Sequence, residues 1–323
     1  MSGAERVRRH RAMRSRDAAA LPTGEILVGH AAEVMAGWPS KSVDHIITSP
    51  PYWIAAKYSL PNPWTSYAHF LADMQQVWIE CARVLRPNGK LCIVAPLLPL
   101  EHTKARLYGI RQHTRPLFDI AGDIGRGIVE GTDLLRFDTF VWQKQTTGTK
   151  EKGRMLGAYP SAGNTYANNT IEFINVFVKP GKPPKYAKTV KELTRRSHFE
   201  HLNLTQQSWF MMPTEIHRKS DGSHPAPFPE IVPTRLIRLF AFPNEIVVDP
   251  FCGTGTTIAV AKRMGLKFVG IDINPAYVAE AIGSVAGAEV GNFPMPLVST
   301  PKQQGRDELE AVWKAMLEGT GSP

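Results

Sequence analysis

One stretch of this chain leaves few folds open. Glu245 to Asp249 is a short apolar run closed by an acid. Pro250-Phe251-Cys252-Gly253-Thr254-Gly255 follows, and Thr256 to Gly265 then reads as a helix that stops at a glycine. Lys267 to Asp272 is a second apolar run ending on an acid, and Pro275 to Ile282 is a second helical segment. Strand, glycine turn, helix, strand, helix is the grammar of a parallel sheet covered by helices, so the expected fold is α/β. Glycines in the first turn permit a sharp bend and the close approach of a ligand to the main chain. Two familiar phosphate-binding patterns do not fit. Gly253-x-Gly255 is followed by Ile258, where a dinucleotide fingerprint has glycine or alanine, and no Gly-Lys-Ser/Thr of a P-loop is present.

The remainder of the chain extends the same plan. Strands are expected at Glu25 to Gly29, Ser42 to Thr48 and Lys90 to Ala95, with a helix near Ala31 to Trp38. Ser66 to Leu85 carries apolar residues at helical spacing, and Pro87-Asn88-Gly89 is expected to stop it. Thr139 to Lys144 and Glu172 to Lys179 alternate apolar and polar, which predicts an antiparallel pair at a sheet edge. Pro229 to Phe242 reads as a helix with Glu230 in its first turn, and Asp307 to Leu317 as a surface helix. The strand from Ser42 runs straight into Ser49-Pro50-Pro51-Tyr52-Trp53. Proline donates nothing to a sheet ladder, so the strand ends there and this segment sits at its carboxyl end.

Together, Thr48-Ser49-Pro50-Pro51-Tyr52-Trp53 and Asp249-Pro250-Phe251-Cys252-Gly253-Thr254-Gly255-Thr256-Thr257 resemble the catalytic and cofactor loops of site-specific DNA methyltransferases that modify an exocyclic amine, adenine N6 or cytosine N4. The catalytic segment comes first, which is the order of the β-class of that family. The resemblance implies a Rossmann-like S-adenosylmethionine-dependent methyltransferase sheet with circularly permuted motif order. It implies that Ser49 and the Pro50 carbonyl accept hydrogen bonds from the target amine, that the Pro50-Pro51 unit holds those acceptors rigid, and that Tyr52 offers a face to a flipped-out base. Trp53 is read evenly as support for that stack or as core. For S-adenosylmethionine the resemblance implies Asp249 and Phe251 near the methionine end, Gly253, Gly255 and Thr256 in the loop, and Asp272 on the ribose hydroxyls. The competing reading of Asp272 is a cap for the following helix. Ser223-His224-Pro225-Ala226-Pro227-Phe228-Pro229 resembles the family's segment over the methionine end, placing His224 and Pro225 beside the cofactor. At Val28-Gly29-His30 the chain departs from the family's usual Gly-Asp or Gly-Asn, so His30 stands either near the adenine or as a satisfied surface histidine. Serine at position 49 leans toward cytosine by family habit, but both amines make the same chemical demand, and both bases stay open here.

With 323 residues the chain is long enough for a full α/β core and a smaller accessory region. Lys and Arg number 38 against 29 Asp and Glu, a net charge of +9, which suits double-stranded DNA. Between Lys179 and Arg196 stand seven basic residues and one acid, Glu192. This stretch is read as part of a basic DNA-recognition insert, with Lys185, Lys188, Arg195 and Arg196 on phosphates. The expected division is a disordered basic arm at 1–20, a catalytic half at 21–145, edge strands and insert at 146–222, a cofactor half at 223–285 and a tail at 286–323. Three cysteines without CxxC spacing predict neither disulfides nor a structural metal. No apolar run approaches a membrane span, and six arginines without an apolar stretch near the start predict no secretory leader; the expected location is cytoplasmic, on the nucleoid. A homodimer is expected from the habit of the class. An RNA or protein-glutamine methyltransferase would place its cofactor loop before the catalytic segment, and a catalytically silent DNA-binding homologue would need no intact Ser49 to Tyr52; both stay open.

Overall fold

The computed structural model describes residues 20–53, 62–99, 117–144, 170–211 and 228–291. In chain order the elements are β1 (Glu25–Val28), α1 (Ala31–Ala36), β2 (Val43–Thr48), α2 (Tyr67–Val84), β3 (Leu85–Pro96), the short pair β4 (Leu98–Pro99) and β5 (Leu117–Phe118), α3 (Ile120–Gly131), β6 (Leu135–Lys144), β7 (Ile171–Val178), α4 (Lys188–Leu193), α5 (His198–Thr205), β8 (Ser208–Met211), α6 (Ile231–Phe240), β9 (Ile246–Asp249), α7 (Thr256–Arg263), β10 (Lys267–Asp272) and α8 (Pro275–Ala286).

Eight strands form one sheet in the order β1-β10-β9-β2-β3-β7-β6-β8. The first five of these are mutually parallel. β7 runs against both β3 and β6, and β8 lies parallel to β6. From the β9–β2 junction the chain leaves in opposite directions, to β10 on one side and to β3 on the other. That is the topological switch at which open α/β sheets bind ligands. Alternation along the strands feeds two cores. Ile246 and Val248 join Trp53, Phe70, Met74, Trp78 and Ile124 on one face, while Val247 joins Trp209, Leu236, Ile237 and Val260 on the other. Each such fully buried side chain contributes about 1.5–3 kcal/mol.

Several expectations are corrected. α2 ends at Val84, before Pro87, because Leu85 already takes extended backbone and pairs with Val43. Pro87-Asn88-Gly89 is instead a kink inside β3, with Asn88 at φ 67°. α6 spans Ile231–Phe240 rather than Pro229 to Phe242, and Glu230 sits at its N-cap position without a side-chain cap bond.

The antiparallel pair β6–β7 is present, but β6 is not the edge. Residues read from composition as accessory contain β8, held by Trp209 stacked on Phe140 at 4.6 Å, and α5, whose Glu200 pairs with Arg238 of α6. The start of the basic stretch has a definite place in the sheet. β7 is antiparallel, so it delivers Pro180 to Tyr186 to the amino ends of the parallel strands, where Lys182, Pro184 and Tyr186 line a cleft with Lys41, Asp44, Arg86 and Glu245. Ser49 is at the opposite end. The N-terminal arm, the surface helix expected at Asp307 to Leu317, and His224 and Pro225 lie outside the described residues. All three cysteines are free and buried. Among the described residues no helix is long and apolar enough to cross a membrane.

Candidate active site

Adjacent parallel strands bring the two singled-out loops together. β2 pairs with β9, and just beyond that register Thr48 Oγ1 donates to Asp249 Oδ1 at 2.6 Å. This bond ties the strand end before Ser49 to the strand end before the glycine loop, across 201 residues of sequence. Asp249 is buried and also accepts the Phe251 amide at 3.1 Å. Burial pushes its carboxyl up to about 6, against the lowering effect of the bonds from Thr48 and Phe251. Phe251 packs edge-on against Trp78 of α2, centroids 5.9 Å apart, which fixes the loop to the core.

The glycine loop is built by its glycines. Gly253 and Gly255 have φ of 51° and 90°, backbone that glycine adopts without strain. A Cβ on Gly255 would sit 3.0–3.1 Å from Ala281 of α8, so that helix packs directly on the turn. Thr256 opens α7, whose first amides face the loop. Asp272 stands at the end of β10. Its Oδ2 accepts the Gly253 amide at 2.9 Å and its Oδ1 the Asn274 amide at 2.8 Å. The cap of α8 is Asn274, whose Oδ1 accepts from Ala276 N at 3.0 Å. Asp272 is therefore no cap, and it is half-buried. Gly29 donates its amide to the Asp272 carbonyl at 3.0 Å, which places His30 at the same end of the sheet. His30 Nε2 lies 3.2 Å from Asp73 Oδ1, and Trp64 Nε1 donates to the other oxygen of Asp73 at 2.8 Å. A carboxylate at the end of β10, a glycine turn opening a helix and a buried acid at the end of β9 form a donor and acceptor set that fits a nucleoside carrying a cationic group.

The segment at Ser49 is equally determined. Ser49 and Pro51 are half-buried, and Pro50 and Tyr52 are buried. Ser49 Oγ lies 2.7 Å from Tyr52 Oη, and Tyr52 Oη donates to Glu172 Oε2 at 3.0 Å. Glu172, at the start of β7, is ion-paired with Lys144, at the end of β6. Trp53 resolves as core: it is 1 % exposed, at φ 47°, between Tyr67 and Phe118 with centroids 5.0 Å away on each side. Thr48, Lys144 and Glu172 escape sequence reading. The available signal for Glu172 was an acid at the head of a mostly apolar strand, Ile171-Glu172-Phe173-Ile174.

The basic residues are not brought to this site. Tyr186, next to Lys185, hydrogen-bonds Glu245 at the amino ends of the strands. Lys188 is exposed on α4, Arg195 is exposed and paired with Glu192, and Arg196 is half-buried and donates to the Arg238 carbonyl at 3.2 Å.

Comparison with known proteins agrees with this geometry. The family model described as DNA methylase, for N6 and N4 methyltransferases, matches residues 43–283. The chain is 25 % identical to the type II methyltransferase M.BglII of Bacillus subtilis over 291 residues, 86 % of this chain and 73 % of that protein. It is 26 % identical to the DNA adenine methyltransferase YhdJ of Escherichia coli K12 over 257 residues, 78 % of this chain and 79 % of the other. Among solved structures it is similar to TTHA0409 of Thermus thermophilus, a putative DNA modification methylase complexed with S-adenosyl-L-methionine. The TM-score is 0.64 at 28 % identity, covering 83 % of this chain and 97 % of that one. The cytosine-N4-specific PvuII DNA methyltransferase shares the fold, with a TM-score of 0.59 at 16 % identity over 93 % and 94 % of the two chains.

Proposed function

Because the chain belongs to the DNA methylase family that modifies adenine N6 or cytosine N4, we propose that Ser49 to Tyr52 receive the target base and that Asp249, Phe251, Gly253, Gly255, Thr256 and Asp272 hold the methyl donor. The enzyme is a DNA methyltransferase dependent on S-adenosylmethionine, which when bound supplies a methyl group on a sulfonium. The single observation that carries the assignment of roles is the Thr48–Asp249 hydrogen bond, which joins the two loops at one switch point.

The residues divide the work. Asp272 accepts ribose hydroxyls. Asp249 offers negative charge where the donor is positive. Ser49 Oγ and the Pro50 carbonyl accept the two amine protons, which favours a pyramidal nitrogen with an available lone pair. The proline pair fixes their direction, so no rearrangement is needed as the nitrogen attacks. The proton released from the amine after transfer is lost to solvent. The Tyr52 ring stacks on the base after it leaves the duplex. His30, steadied by Asp73, borders the nucleoside end. His224 and Pro225 are assigned to the methionine end from their motif. Double-stranded DNA is the substrate, read by residues between Lys144 and Gly222; Lys144, Ile171 and Met211, which flank much of that sequence, stand at the catalytic end of the sheet. The protein acts as a homodimer on the nucleoid, a state that light scattering with and without DNA checks.

The test is direct. Purified protein, tritiated S-adenosylmethionine and amplified, hence unmodified, DNA should yield labelled N6-methyladenine or N4-methylcytosine at a fixed sequence, and base-resolution mapping names the base. Tyr52→Ala should lower turnover by the loss of stacking worth roughly 1–3 kcal/mol while donor affinity holds. Collapse of donor affinity in a folded Tyr52→Ala protein would contradict the division of roles.

A further inference from the structure

The hydroxyl of Tyr52 has one proton, and Glu172 takes it: Tyr52 Oη donates to the carboxylate at 3.0 Å. The 2.7 Å bond between Ser49 Oγ and Tyr52 Oη therefore has one polarity. Ser49 is the donor. Its proton points inward, and its lone pairs are left for a donor in front of the loop. We infer that Glu172 is a positioning residue for the reaction, which through Tyr52 fixes the Ser49 hydroxyl as an acceptor for the target amine.

The surroundings of Glu172 suit that task. It is 4 % exposed, so its bond to Tyr52 is sheltered from water. Lys144 holds the other carboxylate oxygen, which fixes the orientation of the group and leaves Oε2 to Tyr52. A charge-assisted hydrogen bond in such a place is strong and polarises the bond behind it. Without the carboxylate, the Tyr52 hydroxyl is free to donate to Ser49. Ser49 then turns its own proton outward, donor facing donor, and the amine loses its acceptor. Tyr52 thus has two separable parts, a ring for the base and a hydroxyl for Ser49.

The inference rests on Ser49 accepting an amine proton, and the experiment separates the two claims. Methyl transfer from tritiated S-adenosylmethionine to amplified, unmodified DNA is measured for Glu172→Gln, Tyr52→Phe, the double variant and Ser49→Ala. Each of the first two should lower kcat roughly ten- to hundredfold, the scale of one hydrogen bond to a charged group, with KM for both substrates held. The double variant should be no slower than the slower single, since Glu172 acts only through the Tyr52 hydroxyl. Calorimetric affinity for S-adenosylmethionine should be native in all of them. Additive losses in the double variant, native kcat in either single, or a loss confined to donor affinity overturns the inference. Should Glu172→Gln fail to fold, Tyr52→Phe decides, because it keeps the ring: native kcat overturns the relay and a fall in kcat alone supports it. If Ser49→Ala is fully active, the reading of Ser49 fails and takes the relay with it. If Ser49→Ala is inactive while Glu172→Gln and Tyr52→Phe are native, the relay alone fails.

Discussion

Both ends of the parallel strands are polar and largely buried, but they are wired differently. At the amino ends, acids are matched by partners. Asp44 accepts two bonds from Arg86, at 2.7 and 3.0 Å, and the Ile246 amide at 2.9 Å. Glu245 accepts from His45 Nε2 at 2.8 Å, the Phe242 amide at 2.7 Å and the Tyr186 hydroxyl. Burial pushes the Glu245 carboxyl up, yet the bonds from His45, Tyr186 and Phe242 outweigh it and hold it below the ordinary range. At the carboxyl ends Glu172 is paired with Lys144, but the balance at Asp249 is reversed. Asp249 has neutral donors and no cation beside it among its described partners, so burial prevails and its carboxyl rises to about 6. The lesson is that a structural cluster closes on itself, whereas a site retains electrostatic demand for something the chain does not supply.

The largest test of that contrast is at the amino end. Glu245→Ala leaves His45 and Tyr186 facing an empty place and should cost roughly 3–5 kcal/mol of stability, the scale for breaking a buried pair. Urea unfolding measures it, and donor affinity of the folded fraction should not change. Its pH signature is fixed by the lowered carboxyl: the contribution is present above the unfolded value of 4.5 and is lost as pH falls through the folded one. A variant as stable as the parent would show that the network is not holding the sheet.

Asp272→Ala should act at the other end. It removes acceptors for the ribose and should weaken S-adenosylmethionine binding by roughly 2–4 kcal/mol. Calorimetry reads this, and unchanged affinity would remove Asp272 from the site.

Asp249 sharpens the comparison through sign. Between pH 3.8 and about 6 the folded state keeps a proton that the unfolded chain releases, so stability falls as pH rises through that window and is level above it. Asp249→Asn should flatten this dependence and leave the variant more stable than the parent above pH 6, by roughly 3 kcal/mol at most. Parallel pH profiles for the two proteins would refute the raised carboxyl.

The smallest effect concerns the basic stretch. If Lys185, Lys188 and Arg195 meet phosphates from their place on the amino side, each alanine substitution should make the log-affinity versus log-salt slope shallower by about 0.9. Arg196→Ala, by contrast, should leave the slope alone, because its guanidinium holds the Arg238 carbonyl. Unchanged slopes for the first three would assign that face to solvent.

Local chemistry made much of this readable in advance. The glycine turn, the proline-terminated strand and the helix spacing of Phe70, Met74, Val77 and Trp78 are short-range signals, and each lies where expected. What was hidden depends on distant pairing. Glu172 meets Tyr52 across 120 residues, so nothing beside either residue announces the other. β8 is four residues in a polar context, and it becomes a strand by pairing with β6, where Trp209 stacks on Phe140. Composition shows that Lys182 to Arg196 is basic, but which end of the sheet receives it follows from the antiparallel sense of β7.

The position of β9 has a consequence for how the protein is made. β9 lies between β2 and β10, yet it is synthesised about 200 residues after β2. A nascent chain that has not reached Ile246 has β2 as an open edge in what will become the middle of the sheet, and closing that gap is a slow, non-local event. Apolar edges of this kind recruit strands from other chains. Val43 to Thr48 reads Val-Asp-His-Ile-Ile-Thr, and its His45 meets its carboxylate partner only when Glu245 arrives. The residues that brace the finished sheet also serve as a lock during biosynthesis, opened by one late segment of the same polypeptide.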